Sequence, residues 1–151
     1  MPKASPRRRA RKPALLLTIP SQTTFLAVVR EVTKKMAEGA GFVSPVPDQL
    51  ALAVDEATTN AIEHAYGGAP DKQVVLQFED RGTDFRVEVI DTGAMMDPRS
   101  VPRVDLPRYV SERRKGGLGV HLMENIMDQV TFRRTARRNV CLLVKRKDGA
   151  K

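Results

Sequence analysis

At 151 residues, with apolar residues at 41% and charged residues at 29%, the chain has the make-up of one folded domain with a real hydrophobic core, and it is too short for two domains of ordinary size. No apolar run approaches the roughly 18 residues that span a bilayer; ALLLTI at 14–19 ends at Pro20 without the small-residue cleavage site of a secretory leader, so a cytoplasmic location without a membrane partner is expected. The net charge of +8 is concentrated in residues 1–12, MPKASPRRRARK, where Lys3, Arg7, Arg8, Arg9, Arg11 and Lys12 supply six charges and no acid offsets them.

That segment reads as a solvated, disordered tail over 1–13, because a like-charged stretch punctuated by proline has little apolar area to bury against its ordering entropy. The body is only mildly basic, so a nucleic-acid partner is not expected. The single Cys141 sits in the apolar run VCLLV, where a small thiol packs well. The domain proper is expected over 14–147, with a short polar tail over 148–151.

In chain order, ALLLTI reads as a strand. SQTTFLAVVREVTKKMAEGAG reads as a helix with Ser21 as its N-cap, Gly39 or Gly41 at its stop, and Phe25, Val28, Val29, Val32 and Met36 along one side. After SPVP a second helix is expected from about Asp48 to Tyr66, with Leu50, Val54, Ala57, Ala61 and Ala65 as its core stripe. QVVLQFED and DFRVEVID alternate apolar and polar residues around the turn DRGT and form a hairpin. From Thr92 to Lys115 periodicity is lost and three prolines intervene; a loop this long points to a functional role, and it reads as a lid. GGLGVHLMENIMDQ resumes as a helix, and VTFRR and NVCLLVKRK close the chain as strands. The order implies an α+β two-layer sandwich, with about five mostly antiparallel strands and the helices on one face.

Three features depart from what a core alone requires. Glu56, Asn60 and His64 recur at i, i+4, i+8 on the second helix, next to its apolar stripe, where a polar side chain needs partners. On the helix alone, hydrogen-bonded rim residues and a working site explain them equally. Asp91 falls on the same strand face as Phe85, Val87 and Val89, so its carboxylate needs a donor, which a planar ligand approaching over Gly93 can supply. KGGLG at 115–119 opens a helix, where free backbone N–H groups and the helix dipole favour phosphate. It follows a loop carrying Arg108, Arg113 and Arg114. It fits neither the Walker A pattern nor the strand-borne dinucleotide fingerprint.

In this order, DEATTNAIEHAYGG, DTGAMMDP and GGLGVHLMENIMDQV resemble the N, G1 and G2 boxes of the Bergerat-fold ATPases, the superfamily of gyrase, Hsp90, histidine kinases and MutL. They look most like the anti-sigma factor serine/threonine kinases. The resemblance covers about residues 14 to 146. It implies an ATP- and Mg²⁺-dependent kinase that phosphorylates a small anti-anti-sigma protein of the STAS type, binds a sigma factor or another regulatory protein, and forms a homodimer. The alternative it leaves open is a nucleotide-gated binding module without phosphotransfer. Carried over by position, Glu56 is the general base and Asn60 the Mg²⁺ ligand. Asp91 receives the adenine amine, Gly93 allows close packing at the base, and Lys115, Gly116, Gly117, Leu118, Gly119 and Val120 form the phosphate segment. His64 is a structural or pocket-lining residue of the ATP site rather than a catalyst, and Met96 belongs to the ATP-binding set. Met95 stands where many relatives have a second glycine, and Met96 where Phe is common.

Overall fold

The computed structural model describes residues 14–94 and 117–148. Five strands, β1 (Leu15–Pro20), β2 (Gln73–Asp80), β3 (Asp84–Asp91), β4 (Gln129–Thr135) and β5 (Arg138–Arg146), form one sheet in the order β1-β2-β3-β5-β4. All four neighbouring pairs are antiparallel, as hairpin-linked strands permit. Helices α1 (Leu26–Gly39), α2 (Val46–Asn60) and α3 (Gly117–Ile126) form the second layer. A 3₁₀ turn at Thr23–Phe25 precedes α1, and a π-helical turn at Ala61–Ala65 extends α2. The two-layer α+β architecture read from the sequence is therefore the one observed. The lid segment from 95 to 116, the tail over 1–13 and residues 149–151 lie outside the described residues.

Period-two alternation builds the core. Val74, Leu76 and Phe78 on β2, Phe85, Val87 and Val89 on β3, and Cys141 and Leu143 on β5 are all buried, and they pack with Val29, Leu50, Val54, Ala57, Val120 and Met123 from the helices. Helix α2 lies in the middle of its layer, against α1 and α3 on its flanks and β3 beneath. That position explains its alanines: Ala51, Ala53 and Ala57 are all buried, and small side chains let neighbouring backbones approach closely. Thr33 and Thr58 are buried inside helices, and each hydroxyl donates to the carbonyl four residues earlier, Val29 and Val54, at 2.7 Å. These back-bonds satisfy polar groups that would otherwise be stranded.

Three local expectations are corrected. The core stripe of α1 runs through Val29, Thr33 and Ala37, while Val28 is 45% exposed, because the buried face is set by where α2 lies. Ser21 caps nothing. Its hydroxyl donates to the Ala69 carbonyl at 2.5 Å and accepts from the Lys72 N–H at 3.0 Å, pinning the end of β1 to the turn before β2. Helix α2 starts at Val46, inside SPVP, with proline in its first turn, where the missing N–H is harmless.

Phe78 is fully enclosed between the sheet and the helices. Phe78→Ala is expected to lower unfolding free energy by about 3–5 kcal/mol, whereas Leu16→Ala, at a side chain 57% exposed, should stay within about 0.5 kcal/mol. Urea denaturation of the two variants tests the assignment of the sheet's inner face.

Candidate nucleotide site

The site begins with strand register. Asp91 on β3 pairs with Asn139 on β5, which pairs with Arg134 on β4. One step along the same face, Val89, Cys141 and Phe132 form the next row. A polar row thus borders an apolar one. With Ala57, Asn60, Ala61 and Ala65 from α2 and its π turn, Asp91, Asn139 and the Val89–Cys141–Phe132 row line an open cleft of roughly 430 Å³, its mouth included. An apolar slot with polar groups at one edge suits a flat heteroaromatic ring.

The turn after β3 is fastened to the helix layer at two points. The Ala65 carbonyl accepts the Ala94 N–H at 2.9 Å, and a Cβ on Gly93 would overlap that carbonyl. Gly93 is therefore required by close approach. Tyr66 adds a second fastening, since its hydroxyl donates to the Gln73 carbonyl at 2.6 Å and accepts from the Thr92 N–H at 2.9 Å.

Asp91 is 8% exposed. Burial pushes its carboxyl above the usual range, and the Asn139 amide, the Gly93 N–H and Arg134 oppose that shift. Its Oδ1 accepts from the Gly93 N–H at 2.9 Å and from Asn139 Nδ2 at 2.7 Å, which leaves Oδ2 as the oxygen for an incoming donor. Asn60 is 7% exposed, and its Nδ2 is enclosed without a hydrogen-bond partner. Among the described residues that NH₂ group has no acceptor, which suits it to donate to a ligand oxygen such as a phosphate's. Among the described residues no three His, Cys, Asp or Glu side chains cluster as a metal cage. Mg²⁺ usually takes only one or two protein ligands beside phosphates and water, and the atom of Asn60 that fits that role is its carboxamide oxygen Oδ1.

Glu56 lies one turn before Asn60 on α2, half-buried, and burial raises its proton affinity, with the like charges of Asp55 and Glu63 adding to the effect. Gly119 in the first turns of α3 stands against it: a Cβ there would come within 2.7 Å of Glu56 Oε2. The glycine leaves room for the carboxylate. Arg30 holds Asp55 at 2.8 Å from α1, which keeps that second acid turned away toward the helix neighbour.

The structure thus brings Glu56, Asn60, Asp91, Gly93 and Gly119 to one end of the helix layer, with Gly117 and Leu118 opening α3 beside them. Two expectations change. His64 is exposed and does not line the cavity, whereas Ala61 and Ala65 do. The π turn holds one more residue than an α turn, so the i, i+4 register that joins Glu56 to Asn60 does not carry on to His64. Val120 is 3% exposed and belongs to the core. Met96, Lys115 and Gly116 lie outside the described residues. Asn139 and Arg134 were missed, because their place beside Asp91 follows from the β3-β5-β4 order, which no local pattern announces. Cys141 forms part of the floor, and burial pushes its thiol up to about 12, leaving it unreactive.

Residues 19–145 match the histidine kinase-like ATPase domain family. The chain belongs to that family of ATP-using domains. Among curated proteins it is similar to the serine-protein kinase RsbW of Bacillus pumilus, 33% identical over 124 residues covering 76% of this chain and 74% of the relative. The corresponding kinases of Bacillus subtilis, 33% identical over 122 residues (76% and 74% covered), and Listeria innocua, 30% identical over 120 residues (77% and 76% covered), are similar to the same extent. Its fold matches the crystal structure of the RsbU and RsbW domains of a Mycobacterium tuberculosis protein with a TM-score of 0.62 at 19% identity, across 91% of this chain and 33% of that one.

A raised carboxyl pKa has a consequence for stability. The folded state binds a proton at Glu56 more tightly than the unfolded chain does, so this group favours folding below the ordinary carboxylate range and loses that contribution as pH rises through its folded pKa. Glu56→Gln is therefore expected to melt at a higher temperature than wild type at pH 7, with the gap closing as pH falls through the carboxylate range. Thermal melts across pH check this, and a gap that widens on acidification contradicts it.

Proposed function

We propose that the chain is an ATP- and Mg²⁺-dependent protein serine/threonine kinase acting as an anti-sigma factor. In this reading it phosphorylates a small STAS-type anti-anti-sigma protein and releases or sequesters a sigma factor, or another regulatory protein, accordingly. The observation that carries the reading is Glu56: a half-buried carboxylate of raised proton affinity, one turn from an uncommitted Asn60 and set against Gly119 of α3. The likeness to proteins named serine-protein kinase supports it.

The ring enters the slot between Ala57, Ala61 and the Val89–Cys141–Phe132 row, and Asp91 Oδ2 accepts its exocyclic amine. The first turn of α3 offers backbone N–H groups to the phosphates. Asn60 presents its carboxamide to Mg²⁺, which when bound spreads the charge of the phosphate oxygens. Glu56 then orients the acceptor hydroxyl and takes its proton, a role for which a carboxylate tuned upward from its ordinary pKa is better matched to neutral pH. The new phosphate places about −2 charge on the acceptor's interface and weakens its hold on the kinase. The reading includes a homodimer and a cytoplasmic location; among the described residues no helix is long and apolar enough to cross a membrane.

Incubation with labelled ATP, Mg²⁺ and a STAS-type acceptor from the same organism tests the proposal. Label should move to the acceptor, and Glu56→Ala should lower the rate by about 10²-fold or more while ATP still binds. Asn60→Ala should lose Mg²⁺-dependent nucleotide binding itself. Tight ATP binding with no transfer would leave a nucleotide-gated binding module in place of a kinase. Gly119→Ala, whose methyl displaces the Glu56 carboxylate, should resemble Glu56→Ala in rate and keep the fold.

A further inference from the structure

Asn139 is an unusual neighbour for a ring-reading carboxylate. Its Nδ2 donates at 2.7 Å to Asp91 Oδ1, at 3.0 Å to the Gly93 carbonyl and at 3.2 Å to the Ala94 carbonyl, so two protons are shared among three acceptors. On the other side, its Oδ1 accepts from Arg134 Nη1 at 3.0 Å, and the same guanidinium donates to the Gly93 carbonyl at 3.1 Å. The amide is held in one orientation, since a flip would set its oxygen against three oxygens and its NH₂ against a cation.

This arrangement decides which hydrogen-bonding face the pocket shows. A carboxylate with both oxygens free makes a fork, and a fork matches the adjacent N1–H and exocyclic N–H of guanine. Here Oδ1 is already filled by Asn139 and the Gly93 N–H. Asn139 and Arg134 also engage the carbonyls of Gly93 and Ala94, which would otherwise be further acceptors at the same edge. Among the described residues Asp91 Oδ2 is the acceptor left at this edge, and it serves a ring that offers one amine there.

We propose that Asn139, locked by Arg134, is the residue that makes the pocket selective for adenine over guanine nucleotides, by occupying one oxygen of Asp91. This deepens the ATP-binding reading above and rests on it. Asn139 acts through Asp91 and the turn after it, so it is a positioning residue.

The test measures equilibrium binding of ATP and GTP, each with Mg²⁺, to the full chain and its variants. Wild type should prefer ATP. In Asn139→Ala the Asp91 carboxylate is no longer oriented by that amide, and ATP binding should weaken by about tenfold, on the order of one impaired hydrogen bond from the ring's amine to a charged group. GTP binding should hold or improve, so the ATP-to-GTP ratio falls by at least that factor. Arg134→Ala, at an exposed side chain outside the core, should lower the ratio in the same direction to a smaller degree, and it covers the case in which Asn139→Ala fails to fold. A folded variant that loses both nucleotides in equal proportion would show that Asn139 only supports the turn, and would overturn the proposal. So would an unchanged ATP-to-GTP ratio in Asn139→Ala where that variant folds, or in Arg134→Ala where it does not. Absence of ATP binding by wild type would instead strike the ATP-site reading itself.

Discussion

The Ala65 carbonyl joins the two halves of the site. It accepts the Ala94 N–H and lies so close to Gly93 that no side chain fits between them. Through it the helix that carries Glu56 and Asn60 is fixed against the strand end that carries Asp91. The π turn at Ala61–Ala65 is what brings that carbonyl to the turn after β3. Such turns leave the regular α-helical ladder and occur often at functional sites. Here the wider turn also directs Ala61 and Ala65 into the cavity wall and His64 to the outside. Without this junction Glu56 and Asn60 would lie on one body and Asp91 on another.

From that junction the chemistry divides into three environments. The floor is apolar and tightly packed. The edge is a polar row across three strands, in which Asp91 is desolvated but compensated by Asn139, Gly93 and Arg134. The phosphate end is different in kind. Glu56 is half-buried with like charges nearby and no compensation among the causes that set its pKa. A buried carboxylate without a partner is unfavourable to folding. Its placement beside a glycine in α3 is a local cost borne at the position proposed above for proton transfer.

The sheet, the hairpin over β2 and β3 and the three helices were legible in the sequence, because alternation in QVVLQFED and DFRVEVID and the helical stripe through Leu50, Val54 and Ala57 report burial directly. The order of Glu56, Asn60, Asp91 and the glycines was legible as well, since each residue sits where a local pattern has no use for it. Three things were not legible. Ser21 looks like a helix cap but bonds to Ala69 and Lys72, forty-eight and fifty-one positions away. His64 obeys an α-helical period that the π turn interrupts. Asn139 lies in RRNVCLLV as an unremarkable polar residue, and only the pairing of β5 between β3 and β4 sets it beside Asp91. Local patterns give faces and periods; contacts that depend on register come from the assembled sheet.

In the proposed function, one nucleotide site forms where α2, the strand end of β3 and α3 meet. A titration of isotopically labelled protein with ATP and Mg²⁺, followed by amide NMR, addresses it without requiring an acceptor protein. Shifts should concentrate at the backbone amides of Gly93, Ala94 and Gly119 and at the side-chain amides of Asn60 and Asn139. Shifts confined to the exposed face of the sheet, around Lys72, Gln73 and Arg138, with those five signals unmoved, would contradict it.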